Sequence, residues 1–415
     1  MDPNLARLQP YPFQKLAALL AGVTPNPSLR PISLSIGEPK HATPQFIRTV
    51  LIDQIGGLSS YPATAGSDTL RNAIAGWIER RYRIAKIDPA SQVLPVNGSR
   101  EALFAFAQAV VDGSREQPAA VAPNPFYQIY EGAIILAGAQ PYFFNLLPDH
   151  GFALDLQQLP EKVWRRTQLI YVCSPGNPTG NVMTLDEWQA LFELSDRHGF
   201  IIASDECYSE IYFNEKQPPL GGLEAAQRLG RGDFRRLVTF SSLSKRSNVP
   251  GMRSGFVAGD ADILAKFLLY RTYHGCAMNP AVQAASAVAW GDEQHVTENR
   301  RLYREKFEKT LAILSLVTEV EMPEAAFYLW LRTPIADTEF AKQLFEQYNV
   351  TVVPGSFLAR EAHGINPGCN FIRVALVAPV EECLEAVQRL KAFYSQFAKG
   401  KNKNDGFAVS HRSGV

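Results

Sequence analysis

The feature that most constrains the fold is an alternation of patterns along the middle of the chain. Between about Thr43 and Trp290, short apolar runs at residues 92–96, 119–122, 168–172, 200–204 and 237–240 are separated by longer stretches with helical spacing. A short, continuously apolar run suits a strand buried on both faces. Successive strand–helix–strand units close right-handed onto one sheet, which predicts an α/β fold with a mostly parallel sheet between helices. One intervening helix is marked at its start, where Thr184 and Glu187 form a capping box ahead of Trp188, Leu191, Phe192 and Leu194.

The pattern changes on either side of this region. The first forty residues are rich in proline and read as an extended arm with one helix. Residues 297–314 read as a charged linking helix. Strand candidates at 326–331 and 371–376 and helices near 338–347 and 381–397 then predict a smaller α+β lobe. The expected division is an arm at 1–42 that packs with the small lobe, a large domain at 43–290, a small domain at 291–399 and a mobile tail at 400–415.

The bulk numbers exclude several classes. Lys plus Arg and Asp plus Glu both number 41, so the formal net charge is zero. That balance argues against a nucleic-acid partner and against a polybasic membrane patch. The five cysteines, Cys173, Cys207, Cys276, Cys369 and Cys383, form no C-x-x-C pair. Neither zinc nor a disulfide framework is expected, and a reducing, cytoplasmic compartment is. No apolar run reaches the length of a membrane span. The short run at 16–22 follows Asp2, Pro10 and Pro12 without a basic cluster, and reads as a packed helix rather than a signal core.

Chemistry concentrates at residues 241–255, SSLSKRSNVPGMRSG. Lys245 follows two hydroxyls, Ser242 and Ser244, and precedes Arg253 by eight residues, between two strand candidates. A lysine can form a Schiff base with the aldehyde of pyridoxal 5′-phosphate, while a hydroxyl and a guanidinium hold its phosphate. Ser-x-x-Lys is also a common accident, and it occurs where serine is the nucleophile. Four further segments decide between these readings. Asn97-Gly98-Ser99-Arg100 follows a strand and opens a helix, where free N–H groups receive phosphate. Asn177, in the loop 174–180, is placed to reach the 3′-oxygen of the cofactor, although turn chemistry alone would explain such a loop. Asp205 ends a buried run and is either a helix cap or the partner of the pyridine nitrogen, with Tyr208 three residues on. Arg373 sits inside an apolar strand, where it serves either a structural ion pair or a substrate carboxylate.

In order, spacing and strand context these segments resemble the class I/II aminotransferases of pyridoxal-phosphate fold type I, over about residues 32–393. The resemblance implies a seven-stranded, mostly parallel sheet, a smaller α+β domain, and a homodimer with active sites shared across the interface. It implies that Lys245 is the Schiff-base lysine and proton shuttle and that Asp205 partners the ring nitrogen. Asn177 and Tyr208 are then the 3′-oxygen ligands. Ser242, Arg253 and the N–H groups of Ser99 and Arg100 form the phosphate cup. Tyr127 stacks on the ring, with Phe126 as the alternative alignment. Tyr61 reaches the phosphate of the neighbouring subunit, and Gly37 and Arg373 hold the substrate α-carboxylate. One departure is Ser174-Pro175-Gly176, where many relatives carry a second asparagine.

The runs at 8–13, 35–41 and 359–368 resemble those of the bacterial N-succinyldiaminopimelate aminotransferases. This implies transfer between N-succinyl-LL-2,6-diaminopimelate and 2-oxoglutarate or glutamate, in lysine and diaminopimelate synthesis. Arg360, Phe13 and Lys40 are then candidates for reading the distal carboxylates. The alternatives are an aminotransferase for aspartate or aromatic amino acids and a C–S lyase on the same fold. A cofactor-sensing transcription regulator is a further rival, but too few residues precede residue 32 for a DNA-binding module.

Overall fold

The computed structural model describes residues 1–275 and 277–404, those from 398 onward as backbone only. Among the described residues, twelve strands form three sheets. The largest contains β2 (Val93–Val96), β3 (Ala119–Asn124), β4 (Gln140–Asn145), β5 (Thr167–Cys173), β6 (Ile201–Asp205), β7 (Leu237–Ser242) and β8 (Gly255–Gly259). Their spatial order is β2-β8-β7-β6-β5-β3-β4, and only β8 runs against its neighbours. The expected seven-stranded α/β architecture is therefore present.

Successive side chains on each strand serve opposite faces of the sheet. Ile170, Val172, Ile202 and Leu237 join an apolar layer with Trp77, Trp188 and Trp290. Leu169, Tyr171, Ala203, Val238 and Phe240 join another with Phe106 and Phe267. This double-sided burial explains why the runs were continuously apolar. A third core surrounds β9 (Tyr328–Arg332), β11 (Val353–Pro354) and β12 (Phe371–Ala375), where Tyr303, Phe307, Phe340 and Phe393 pack together. The arm joins this part through β1 (Ile32–Ser33), which pairs in parallel with β10 (Val350–Thr351).

The direction of the strands gathers the site. The carboxyl ends of β2, β3, β5, β6 and β7 lie at one edge, and the antiparallel β8 begins there. The loops at 97–100, 125–127, 174–180, 205–208 and 243–253 thus converge, as ligand-binding loops do in open parallel sheets.

Three local expectations needed adjustment. Lys245 stands in a helical turn, Leu243–Arg246, rather than in an irregular loop. Strand β4 was not anticipated, because Gln140, Pro141 and Tyr142 do not form an apolar run; it is an edge strand, where proline is tolerated. The last helix, Val380–Asn404, runs past 399, through lysines that are good helix formers. The remainder of the expected tail, 405–415, lies outside the described residues. Among the described residues no helix is long and apolar enough to cross a membrane, and no acidic, histidine or cysteine cluster has the makings of a metal site.

The capping box forms as expected. The Glu187 N–H donates to Thr184 Oγ1 at 3.2 Å, and the Thr184 N–H donates to Glu187 Oε2 at 2.7 Å. Thr184→Ala is expected to cost ~1 kcal/mol, read as a lower urea midpoint with unchanged turnover.

Candidate active site

A cavity of about 410 Å³ opens at this edge of the sheet. Its wall includes Gly37, Ser99, Arg100, Tyr127, Asn177, Asp205, Tyr208, Lys245, Arg253 and Arg373. Ten of the twelve residues expected at the site thus share one cavity, although they come from segments spread over more than three hundred positions.

Asp205 closes β6 and is 3% exposed. Its Oδ2 accepts from the Tyr130 hydroxyl at 2.6 Å and its Oδ1 from the Cys207 N–H at 3.2 Å. Burial, reinforced by the carboxylate, pushes the Tyr130 phenol well above its ordinary range, so that phenol remains a donor. The result is a fixed carboxylate facing the cavity with acceptor capacity left over.

The turn carrying Lys245 is anchored by its neighbour. Arg246 is buried, with its guanidinium 5.0 Å from the Trp290 ring centroid, and Nη1 donates to the Ala289 carbonyl at 2.6 Å. Lys245 itself faces the cavity. Burial lowers its pKa below the ordinary lysine range; Arg253 and Arg100 push the same way, against the Cys207 thiol and the Asp205 carboxylate. Such an amine is more readily available in its nucleophilic, unprotonated form.

One end of the cavity suits a phosphate. Gly98 has φ +93°, and a Cβ there would lie 2.1 Å from Arg253 Nη2. No side chain caps the helix Ser99–Val110 that follows, so the N–H groups of Ser99 and Arg100 have no intrahelical acceptor. Arg253 Nη2 donates to Glu101 Oε2 at 2.6 Å. Ser242 is not on the cavity wall: it is buried, and its hydroxyl accepts from the Ser244 N–H at 3.1 Å as the cap of the lysine turn. Ser244 lines the wall instead.

The other end suits a carboxylate. Arg373, on β12, is 5% exposed. It donates to Asn177 Oδ1 at 3.1 Å and to the Ser35 carbonyl at 2.8 Å, and lies 4.6 Å from the Tyr328 ring centroid. Its Nε has no hydrogen-bond partner, and no carboxylate is paired with it among the described residues. A buried guanidinium in that condition is a receptor for an anion. Gly37 is required beside it, since a Cβ would fall 2.0 Å from the Tyr328 hydroxyl. That hydroxyl is 3.0 Å from the Tyr208 hydroxyl.

Of the two alignments left open, Tyr127 lines the cavity and accepts from Arg100 Nε at 2.7 Å. Phe126 is buried behind it, stacked on Phe143. Tyr61 is fully exposed and away from the cavity of its own chain. Arg360 is neither a cavity residue nor a solvated loop arginine. It is held in a partly buried, two-bond ion pair with Glu131, at 2.9 and 2.5 Å. Lys40 is exposed on Glu38 at 2.7 Å and also lies off the wall, whereas Phe13 is on it. Tyr130, Tyr328 and Arg246 were missed. Tyr130 and Tyr328 have no local motif to mark them, since their partners are 75 and 120 positions away.

These groups fit pyridoxal phosphate: an amine for the aldehyde, a buried carboxylate for the ring nitrogen, two donors for the ring oxygen and an uncapped helix start with an arginine for the phosphate. The comparisons with known proteins agree. The model of the family "Aminotransferase class I and II" matches residues 30–390. A solved aminotransferase from Neisseria meningitidis is similar at 50% identity and TM-score 0.92, covering 95% of this chain and all of that one. A probable N-succinyldiaminopimelate aminotransferase from Thermus thermophilus is similar at 27% identity and TM-score 0.80, covering 92% of this chain and all of that one. Among curated proteins, the LL-diaminopimelate aminotransferase of Syntrophobacter fumaroxidans is 32% identical over 94% of this chain and 97% of its own length. The cavity, the fold and the family match concur, and the chain belongs to the class I and II aminotransferases, which work with pyridoxal phosphate.

Proposed function

We propose that this aminotransferase moves an amino group between N-succinyl-LL-2,6-diaminopimelate and 2-oxoglutarate. The carrying observation is the buried Arg373 guanidinium without a carboxylate, in the same cavity as the Lys245 amine. It receives the α-carboxylate common to both substrates.

The distal group is assigned by elimination. Arg360 is engaged with Glu131 and Lys40 with Glu38, whereas Arg100 lies on the cavity wall with only the Tyr127 hydroxyl as its side-chain partner. We assign Arg100 to the distal carboxylate of glutamate and to the succinyl carboxylate. Tyr11, Pro12, Phe13, Ile36 and Leu358 give that side an apolar lining suited to a long acyl chain. A free distal ammonium would face Arg100, while the amide of the succinylated substrate is neutral. The second reading is free LL-diaminopimelate, the amino acid named for the curated relatives.

When bound, pyridoxal phosphate supplies an aldehyde that takes up amino groups and a ring that withdraws electrons. The chain then contributes four things. Lys245 holds the cofactor and moves the proton at the substrate Cα. Asp205 holds the proton at the ring nitrogen. Asn177 and Tyr208 donate to the ring oxygen. The N–H groups of Ser99 and Arg100, at the uncapped helix start, and the Arg253 guanidinium hold the phosphate. We further propose a homodimer in which Tyr61 completes the neighbouring phosphate site. The exposure of Ile52, Ile55 and Leu58 in the preceding segment supports a contact surface there.

Five tests follow from this reading. Borohydride reduction and peptide mapping are expected to place the cofactor on Lys245, and Lys245→Ala should lose turnover; a label on another lysine overturns the assignment. Arg373→Lys should lower kcat/KM for every amino donor by about 100-fold, roughly 2.7 kcal/mol. Arg100→Leu should lower it ~10-fold or more for glutamate and the succinylated substrate but not for alanine. In the wild type, preference for free diaminopimelate, aspartate or an aromatic donor by more than about tenfold, ~1.4 kcal/mol, rejects the succinylated substrate. Finally, mixing Tyr61→Ala with Lys245→Ala subunits is expected to restore activity that neither possesses, and no recovery despite proven subunit exchange counts against the shared site.

A further inference from the structure

Behind the cavity wall, a row of three polar side chains, with Lys306 and Asn299 buried and His41 partly so, ends on the backbone of Lys245. Lys306, in the helix Gln294–Leu314, is 1% exposed, and no carboxylate is paired with it among the described residues. Its Nζ lies 3.1 Å from His41 Nε2. His41 Nδ1 lies 2.7 Å from Asn299 Oδ1, and Asn299 Nδ2 lies 3.4 Å from the Lys245 carbonyl oxygen. Burying an ammonium without a counter-charge is costly, so its retention here calls for a reason.

The chemistry of the groups fixes one direction for the whole row. A lysine ammonium only donates, so His41 Nε2 must accept. The neutral ring then carries its proton on Nδ1 and donates to Asn299 Oδ1. Asn248 Nδ2 donates to the same oxygen at 3.1 Å. What remains for Asn299 is its amide N–H, which points to the Lys245 carbonyl. Burial, and next the neighbouring Lys306, lower the His41 pKa, which keeps the ring neutral as this direction requires. Burial lowers Lys306 to about 8, which leaves it largely protonated at neutral pH.

The row ties two parts of the active site together. His41 closes the loop that carries Gly37, beside the carboxylate-binding arginine, and Asn299 touches the turn that carries Lys245. A second strap joins the same two segments, since Thr43 Oγ1 donates to the Asn248 carbonyl at 2.9 Å. We propose that Lys306, His41 and Asn299 are positioning residues, which hold the Lys245 turn in register with the Gly37 loop and so set how the lysine amine meets the substrate Cα. None of the three lies on the wall of the cavity. The inference concerns the aminotransferase reaction itself and does not depend on which acyl group the substrate carries.

The test uses His41→Leu, Lys306→Met and the double variant of the holoenzyme. Each single variant is expected to lower kcat ~10-fold or more, since small misplacements of reacting groups are costly. Each should also shift the pH midpoint of the absorbance of cofactor bound at Lys245 and weaken the affinity of the apoenzyme for pyridoxal phosphate. Acting as one row, the two changes should not multiply, and the double variant should stay within about twofold of the worse single one. Leu314→Ala, at the far end of the same helix, serves as the control: it should lower Tm and leave the absorbance midpoint in place. His41 lies in a partly exposed loop, so His41→Leu decides the matter should Lys306→Met not fold. Wild-type kcat and midpoint in His41→Leu, multiplicative losses in the double variant, or an equal midpoint shift in Leu314→Ala would each overturn the proposal.

Discussion

The antiparallel pairing of β7 with β8 is the constraint on which the site depends. The register sets Ser242 opposite Gly255 and Val238 opposite Gly259. Both glycines are dictated by this approach, since a Cβ would lie 2.3 Å from the Ser241 carbonyl at Gly255 and 2.1 Å from the Leu237 carbonyl at Gly259. The two strands can therefore lie close and be joined by a short connection, which an antiparallel pair permits and a parallel pair does not. That connection holds both Lys245 and Arg253. Because β8 reverses direction, its start falls at the edge where β2, β5 and β6 end, and the Lys245 amine, Arg253, the uncapped helix and Asp205 meet there.

Charge is distributed with the same economy. The formal balance of zero conceals a separation between cations that are paired and cations that are not. Buried Arg81 is matched by Glu210 at 2.7 Å, and Arg300 by Glu215 at 2.9 Å. These pairs avoid the penalty of an isolated buried charge and hold helices in place. Arg373 has only neutral acceptors around it, and Lys245 has a lowered pKa in a cavity whose buried carboxylate is Asp205. On the cavity wall, a buried guanidinium without a carboxylate is the arrangement expected of an anion-binding site.

Much of this was legible before folding was considered. The continuous apolar runs announced strands buried on both faces, and the capping box located a helix start to the residue. Lys245, Asn177, Asp205 and Arg373 stood out because polar groups at the ends of buried strands, or within one, need a reason. What escaped were groups whose meaning lies wholly in distant partners. Tyr130 and Tyr328 carry no local signal, and only the fold sets them on Asp205 and Tyr208. Arg360 read as a reader of the distal carboxylate, although Glu131, 229 positions away, already occupies it. Strand β4 escaped because an edge strand lacks the double burial that leaves a mark on composition.

Local chemistry in the chain determined the kind of fold, the family and the residue types needed at the reactive centre, since propensity, capping and apolar patterning act over a few residues. The tertiary structure alone decided which of the equivalent-looking groups do the work: Ser244 rather than Ser242 on the cavity wall, Tyr127 rather than Phe126, and Arg373 left open while Arg360 is neutralised. Those choices depend on strand register and on distances across the sheet, which are properties of the packed chain and have no counterpart in neighbouring letters of the sequence.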